Sequence, residues 1–98
     1  GTDAILRITD LTYEFDKEYI PNLKITILGE KVYGKDSGGI AYDVIDYKFY
    51  DSEGYSIDSG SVFLDSLREG EKFKDSSIVI YDITPGETYE LQLMERSW

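Results

Sequence analysis

Apolar and polar residues alternate over short runs along most of the chain, the pattern of strands with one buried face. Leu23, Ile25 and Ile27 share a face against Lys24 and Thr26, which predicts a strand over residues 23–33 with Gly29 as a candidate bulge. In residues 40–51, Ile45, Tyr47 and Phe49 line one face, while Val44, Asp46, Lys48 and Tyr50 line a solvent face. Residues 55–64 and 73–81 read as two further strands, the latter breakable at Asp75, Ser76 and Ser77. The last strand, residues 87–95, sets Tyr89, Leu91 and Leu93 against Glu90, Gln92 and Met94. In the first strand, residues 4–15, both alternate sets are mixed, which predicts a bent strand serving two sheets. Nothing sustains a helical period, and residues 65–69 offer one turn at most.

Turn chemistry sets an expected register. Taking Ser52, Glu53 and Gly54 as a three-residue hairpin loop, with Gly54 left-handed, places Phe49 opposite Ile57 and Tyr47 opposite Ser59. Lys48 then faces Asp58 as a cross-strand charge pair. The same register sets Val44 opposite Val62 and Tyr42 opposite Leu64. Tyr42, Val44, Val62 and Leu64 thus form a candidate interaction patch, unless another segment such as the bent first strand covers them. Residues 67–73 and 83–89 share the order apolar-x-x-Gly-Glu-x-aromatic. That order describes a loop that drops Leu67 or Ile83 into the core, turns on Gly70 or Gly86, and opens a strand with an inward Phe73 or Tyr89.

Composition narrows the class. With 98 residues the chain has room for one domain, residues 1–98, at roughly 100–200 residues per domain. Gly1 reads as a scar of tag removal, which would place the natural N-terminus upstream. Aromatic residues make up 14% of the chain, including nine Tyr, too many for a disordered acidic tail. Ten Lys and Arg against twenty Asp and Glu leave a net charge of −10, which argues against nucleic acid and anionic membrane surfaces. The longest aliphatic stretch, Ile78 to Ile80, is far short of the roughly 20 residues of a membrane span. With no Cys and no His, thiol catalysis, a Ser–His–Asp triad and the commonest transition-metal ligands are absent.

Three sharper chemistries remain. An acidic calcium loop at Asp51–Gly54 fails on spacing, because an EF-hand Gly stands further from its first Asp. Carboxyl pairs at the about 5–10 Å a glycosidase needs occur by chance in any acidic domain, and so small a fold leaves little depth for a cleft. Trp98 and the tyrosines could stack on a sugar, but alternation turns Tyr47 and Tyr89 inward. No catalytic residue, metal site or cofactor is therefore expected.

The segment Tyr47-Lys48-Phe49-Tyr50-Asp51-Ser52-Glu53-Gly54 resembles the signature of the bacterial FxLYD domain family, aromatic-x-apolar-Tyr-Asp followed by x-x-Gly. Leu67-Arg68-Glu69-Gly70-Glu71 is similar to that family's apolar-x-Pro-Gly-Glu step into the next strand. A second resemblance, in residues 83–93, is to the fibronectin type III corner, whose Tyr anchors the turn into a late strand. The first resemblance implies an immunoglobulin-like domain. The expectation is an all-β, immunoglobulin-like β-sandwich of six or seven mostly antiparallel strands. Its inward residues would include Ile25, Ile27, Ile45, Phe49, Ile57 and Val79. The resemblance also implies a non-enzymatic accessory or protein-interaction module of an exported bacterial lipoprotein or cell-surface protein. Its partner would be another protein or a cell-envelope component, with no membrane span and room for a lipid anchor upstream. The alternative is a carbohydrate- or calcium-binding module attached to an extracellular enzyme.

Overall fold

The computed structural model describes residues 5–17, 20–33, 43–64 and 67–97, without the side chains of Arg96 and Ser97. They form six strands: β1 (Ile5–Asp16), β2 (Asn22–Tyr33), β3 (Asp43–Tyr50), β4 (Ser56–Leu64), β5 (Lys72–Tyr81) and β6 (Glu90–Ser97). No helix occurs among the described residues. The strands make two three-stranded antiparallel sheets, ordered β1-β2-β5 and β4-β3-β6. The protein is all-β.

The two sheets bury their facing apolar rows against each other. Ile25 and Ile27 of β2 and Phe73, Ile78 and Ile80 of β5 meet Ile45 and Phe49 of β3 and Val62 and Leu64 of β4. Leu67 and Ile83 drop into this core from the two loops that share the apolar-x-x-Gly-Glu-x-aromatic order. Gly70 and Gly86 turn those loops with φ of 86° and 89°. Phe73 and Tyr89 then enter as core-facing aromatics, and Tyr89 stacks on Phe49 at 5.3 Å between ring centroids. The Tyr89 hydroxyl accepts the Thr84 backbone N–H at 2.9 Å, closing the corner before β6.

The strands differ from their expected faces wherever a bulge inserts one residue, because an extra residue reverses the alternation beyond it. In the β3–β4 hairpin the loop is as expected: Gly54 has φ 88°, and the Asp51 N–H donates to the Tyr55 carbonyl at 2.9 Å. Ile57, however, is extra, so Phe49 faces Asp58 and Lys48 faces Ser59. The expected Lys48–Asp58 pairing is not made, and Ile57 is 45% exposed rather than in the core. In β5 the ladder passes from Asp75 to Ile78 while β2 advances from Ile27 to Ile25. That bulge at Ser76 and Ser77 turns Ile78 and Ile80 inward and Val79 outward. In β1 the extra residue is Thr9, which explains the mixed sets: Leu6 and Ile8 point inward before it, Leu11 and Phe15 after it. β1 pairs only with β2 among the described residues, so it bends without serving two sheets. Gly29 is not itself the bulge. It lies under the Phe73 ring, and a Cβ there would stand 2.5 Å from both the Arg7 carbonyl and Phe73 Cζ.

Candidate interaction surfaces

The expected patch is taken apart by the bulge at Ile57. Ile45 faces Val62 and Val44 faces Phe63, so Val44 lies on the opposite face of the sheet from Val62 and Leu64. All three are buried, at 0%, 1% and 6% exposure, and Val62 and Leu64 belong to the core. They present no accessible surface. Tyr42 lies outside the described residues. The first strand is not what covers Val62 and Leu64. They pack into the interior between the sheets, on the side where β4 approaches β5.

Two polar arrangements brace the fold, one between the sheets and one within the β4-β3-β6 sheet. Lys31 continues the inward row of Leu23, Ile25, Ile27 and Gly29 and is buried with Asp43. Its Nζ donates to Asp43 Oδ2 at 3.1 Å and to the Leu67 carbonyl at 2.9 Å, and Leu67 N–H donates to Asp43 Oδ2 at 3.3 Å. This clasp joins β2, β3 and the loop before β5. Alternation alone could have found Lys31, since a cation on a core-facing row requires a buried acceptor. Tyr47 lies across Gly60, where a Cβ would meet its ring at 2.9 Å, and its hydroxyl donates to Asp58 Oδ2 at 3.4 Å. Burial, then the Asp58 charge and the hydrogen bond to it, raises the Tyr47 pKa above its ordinary value.

The outer face of the β4-β3-β6 sheet carries a shallow cavity of about 500 Å³, lined by Asp46, Lys48, Ser59, Ser61, Gln92 and Met94. Ser61 Oγ donates to Asp46 Oδ1 at 2.6 Å across it. Tyr47, Gly60 and Leu93 complete a wall that is largely apolar, with polar groups set along it. Among the described residues, no group of three or more acidic side chains is placed to hold a metal ion.

The flanks of the two sheets differ more sharply. On the β4/β5 side the core-facing Val62, Leu64, Phe73, Ile78 and Ile80 are all buried. On the β1/β6 side none is. Leu6, Ile8, Leu11 and Phe15 of β1, and Leu91 and Leu93 of β6, are only half-buried. Tyr13, opposite the fully buried Ile25, is 57% exposed. The described parts of β1 and β6 make no extended contact, and the Leu6 N–H donating to the Glu95 carboxylate links them at one end. Among the described residues the interior is thus closed on one side and open along the other, a property no local pattern reveals because it depends on which strands end the sheets.

Compared with protein-family models, with curated proteins and with solved structures, the chain matches none.

Proposed function

We propose that the protein is a non-enzymatic interaction module, immunoglobulin-like in architecture, from an exported bacterial lipoprotein or cell-surface protein. The open β1/β6 flank carries the reading. A small domain has little apolar area to spare, and a row of half-covered core residues between two strand edges is a surface suited to a polypeptide. The Tyr89 corner and the turn at Gly54 support the immunoglobulin-like reading and its resemblance to the FxLYD family. Extracellular or envelope localisation follows from that resemblance.

A photo-crosslinking residue at Tyr13, inside the flank, should yield covalent polypeptide adducts in a bacterial host secreting the protein. The same residue at Tyr81, which is also exposed but at the far edge of β5, should not. Equal labelling from both positions, or none from Tyr13, would refute the proposal. The second reading, a carbohydrate-binding module, rests on the shallow cavity of the outer face, where polar groups are set along a largely apolar wall. Glycan-array binding lost on Lys48→Ala and retained on Tyr13→Ala would favour it instead.

A further inference from the structure

We propose that β6 accepts an added strand: an extended segment of a partner polypeptide, apolar at alternate positions and basic between them. This deepens the interaction reading and rests on it. A sheet edge offers a row of unpaired backbone groups, and proteins blunt such edges with bulges, charges or covering segments. Among the described residues four strands end a sheet: β1, β5, β4 and β6. β1 carries the bulge at Thr9, β5 the bulge at Ser76 and Ser77, and β4 the bulge at Ile57. β6 pairs with β3 residue for residue from Glu90 to Ser97 with no shift, so among the described residues its outer edge is the longest regular template, the unshifted runs of β1 and β4 being Asp10–Asp16 and Asp58–Leu64.

That edge borders the open flank. A strand laid along β6 points every second side chain at the half-buried Leu91, Leu93, Ile8 and Leu11, completing the interior on its uncovered side as far as Glu95, whose carboxylate accepts the Leu6 N–H and closes that row. This fits the alternation of added-strand recognition, in which backbone bonds supply affinity and alternate side chains supply specificity. The intervening side chains face outward beside Glu90, Gln92 and Met94 of β6, on a molecule of net charge −10. Lys and Arg suit those positions. A second copy of this chain brings the same excess of carboxylates, so charge favours a basic partner over self-pairing.

The test uses an eight-residue peptide of alternating Val and Lys, matched to the eight residues of β6. Controls are a peptide of the same composition with its Val and Lys in two blocks, and an alternating Val–Glu peptide. The alternating basic peptide should bind tightest and slow amide exchange at every second residue of β6, those whose N–H points away from β3. N-methylation of the peptide at alternate residues should weaken binding by about tenfold or more in one parity and spare it in the other, because only one parity donates to β6. That contrast leaves the protein untouched, so it does not depend on a variant folding. Leu93→Lys, an inward charge on the edge, should abolish binding, with folding checked by thermal melting. Exchange protection at β4, at β5 or on the outer face of β3 overturns the proposal. So do indifference to N-methyl parity and equal binding of the Val–Glu peptide. A β6-mediated dimer in sedimentation that the peptide does not displace makes a second copy the occupant and also overturns it. Protein adducts from the crosslinker at Tyr13, together with peptide binding blind to parity, would sink strand addition while the broader interaction reading stood.

Discussion

Lys31 occupies a position that alternation assigns to the interior, and its charge is tolerated there because Asp43 and the Leu67 carbonyl answer it. Removing one partner of such a buried pair costs far more than the pair itself contributes, because the remaining charge is left without a counter-ion. Asp43→Asn keeps an acceptor for the Leu67 N–H but removes the carboxylate that faces the buried Lys31 ammonium, and should destabilise by about 3 kcal/mol in urea unfolding. Lys31→Met added to Asp43→Asn should recover part of that loss, since the buried charge is gone with the carboxylate that faced it. An additive double variant would show that the clasp matters through packing instead. Tyr47 gives a pH dependence with a definite sign. Its folded-state pKa is raised, chiefly by burial, so the folded protein holds that proton more tightly than the unfolded chain. The resulting stability is present below the ordinary tyrosine value of 10.0 and is lost as pH rises through and beyond it. Between about pH 9 and pH 11 the Tyr47→Phe variant should therefore lose less stability than the parent. Parallel losses in the two proteins would assign the alkaline sensitivity to other groups.

At the scale of strands, what was legible depended on the distance to the nearest bulge. The strand segments and the β3–β4 loop could be read because alternation and turn chemistry are local signals. Face assignments failed at Ile57 and Val79, where one inserted residue reversed the parity of what followed; the expected break at Asp75, Ser76 and Ser77 marked the second bulge without its effect on parity, and the bulge at Ile57, lacking Gly, left no trace in the apolar–polar pattern. The patch of Val44, Val62 and Leu64 dissolved for that reason. The mixed first strand did betray its bulge, through the switch from Leu6 and Ile8 to Leu11 and Phe15. The open flank was not legible, because it is set by the order β1-β2-β5 against β4-β3-β6, a long-range outcome. The hairpin makes the local part testable. Gly54 has φ 88° and nothing within 4 Å of where its Cβ would stand, so substitution there probes backbone conformation alone. Gly54→Val should cost about 1–2 kcal/mol, the left-handed penalty of an L-residue, and Gly54→Asn clearly less. Equal losses from both would contradict the left-handed turn.

The whole molecule is long and strongly acidic. Strands of 12 residues at about 3.3 Å per residue span about 40 Å, in keeping with the 42 Å long axis. A charge of −10 spread over this shape repels itself, and the repulsion opposes the compact state. Raising NaCl from about 0.01 M to about 0.5 M shortens the screening length from about 30 Å to a few Å, so the melting temperature should climb by several degrees. Calcium chloride at matched ionic strength should do no more, and EDTA at constant ionic strength should change nothing. A rise specific to calcium would reveal a bound ion and make the acidic surface a site rather than a field. The same charge predicts the opposite response for binding. Attraction between a basic strand and this surface weakens as salt screens it, so the Val–Lys peptide should bind less tightly over the range in which the protein melts higher. Melting and peptide titration along one salt series therefore give slopes of opposite sign if the net charge governs both. Peptide affinity that held constant or rose with salt would mean that apolar burial in the flank, and not charge, selects the partner.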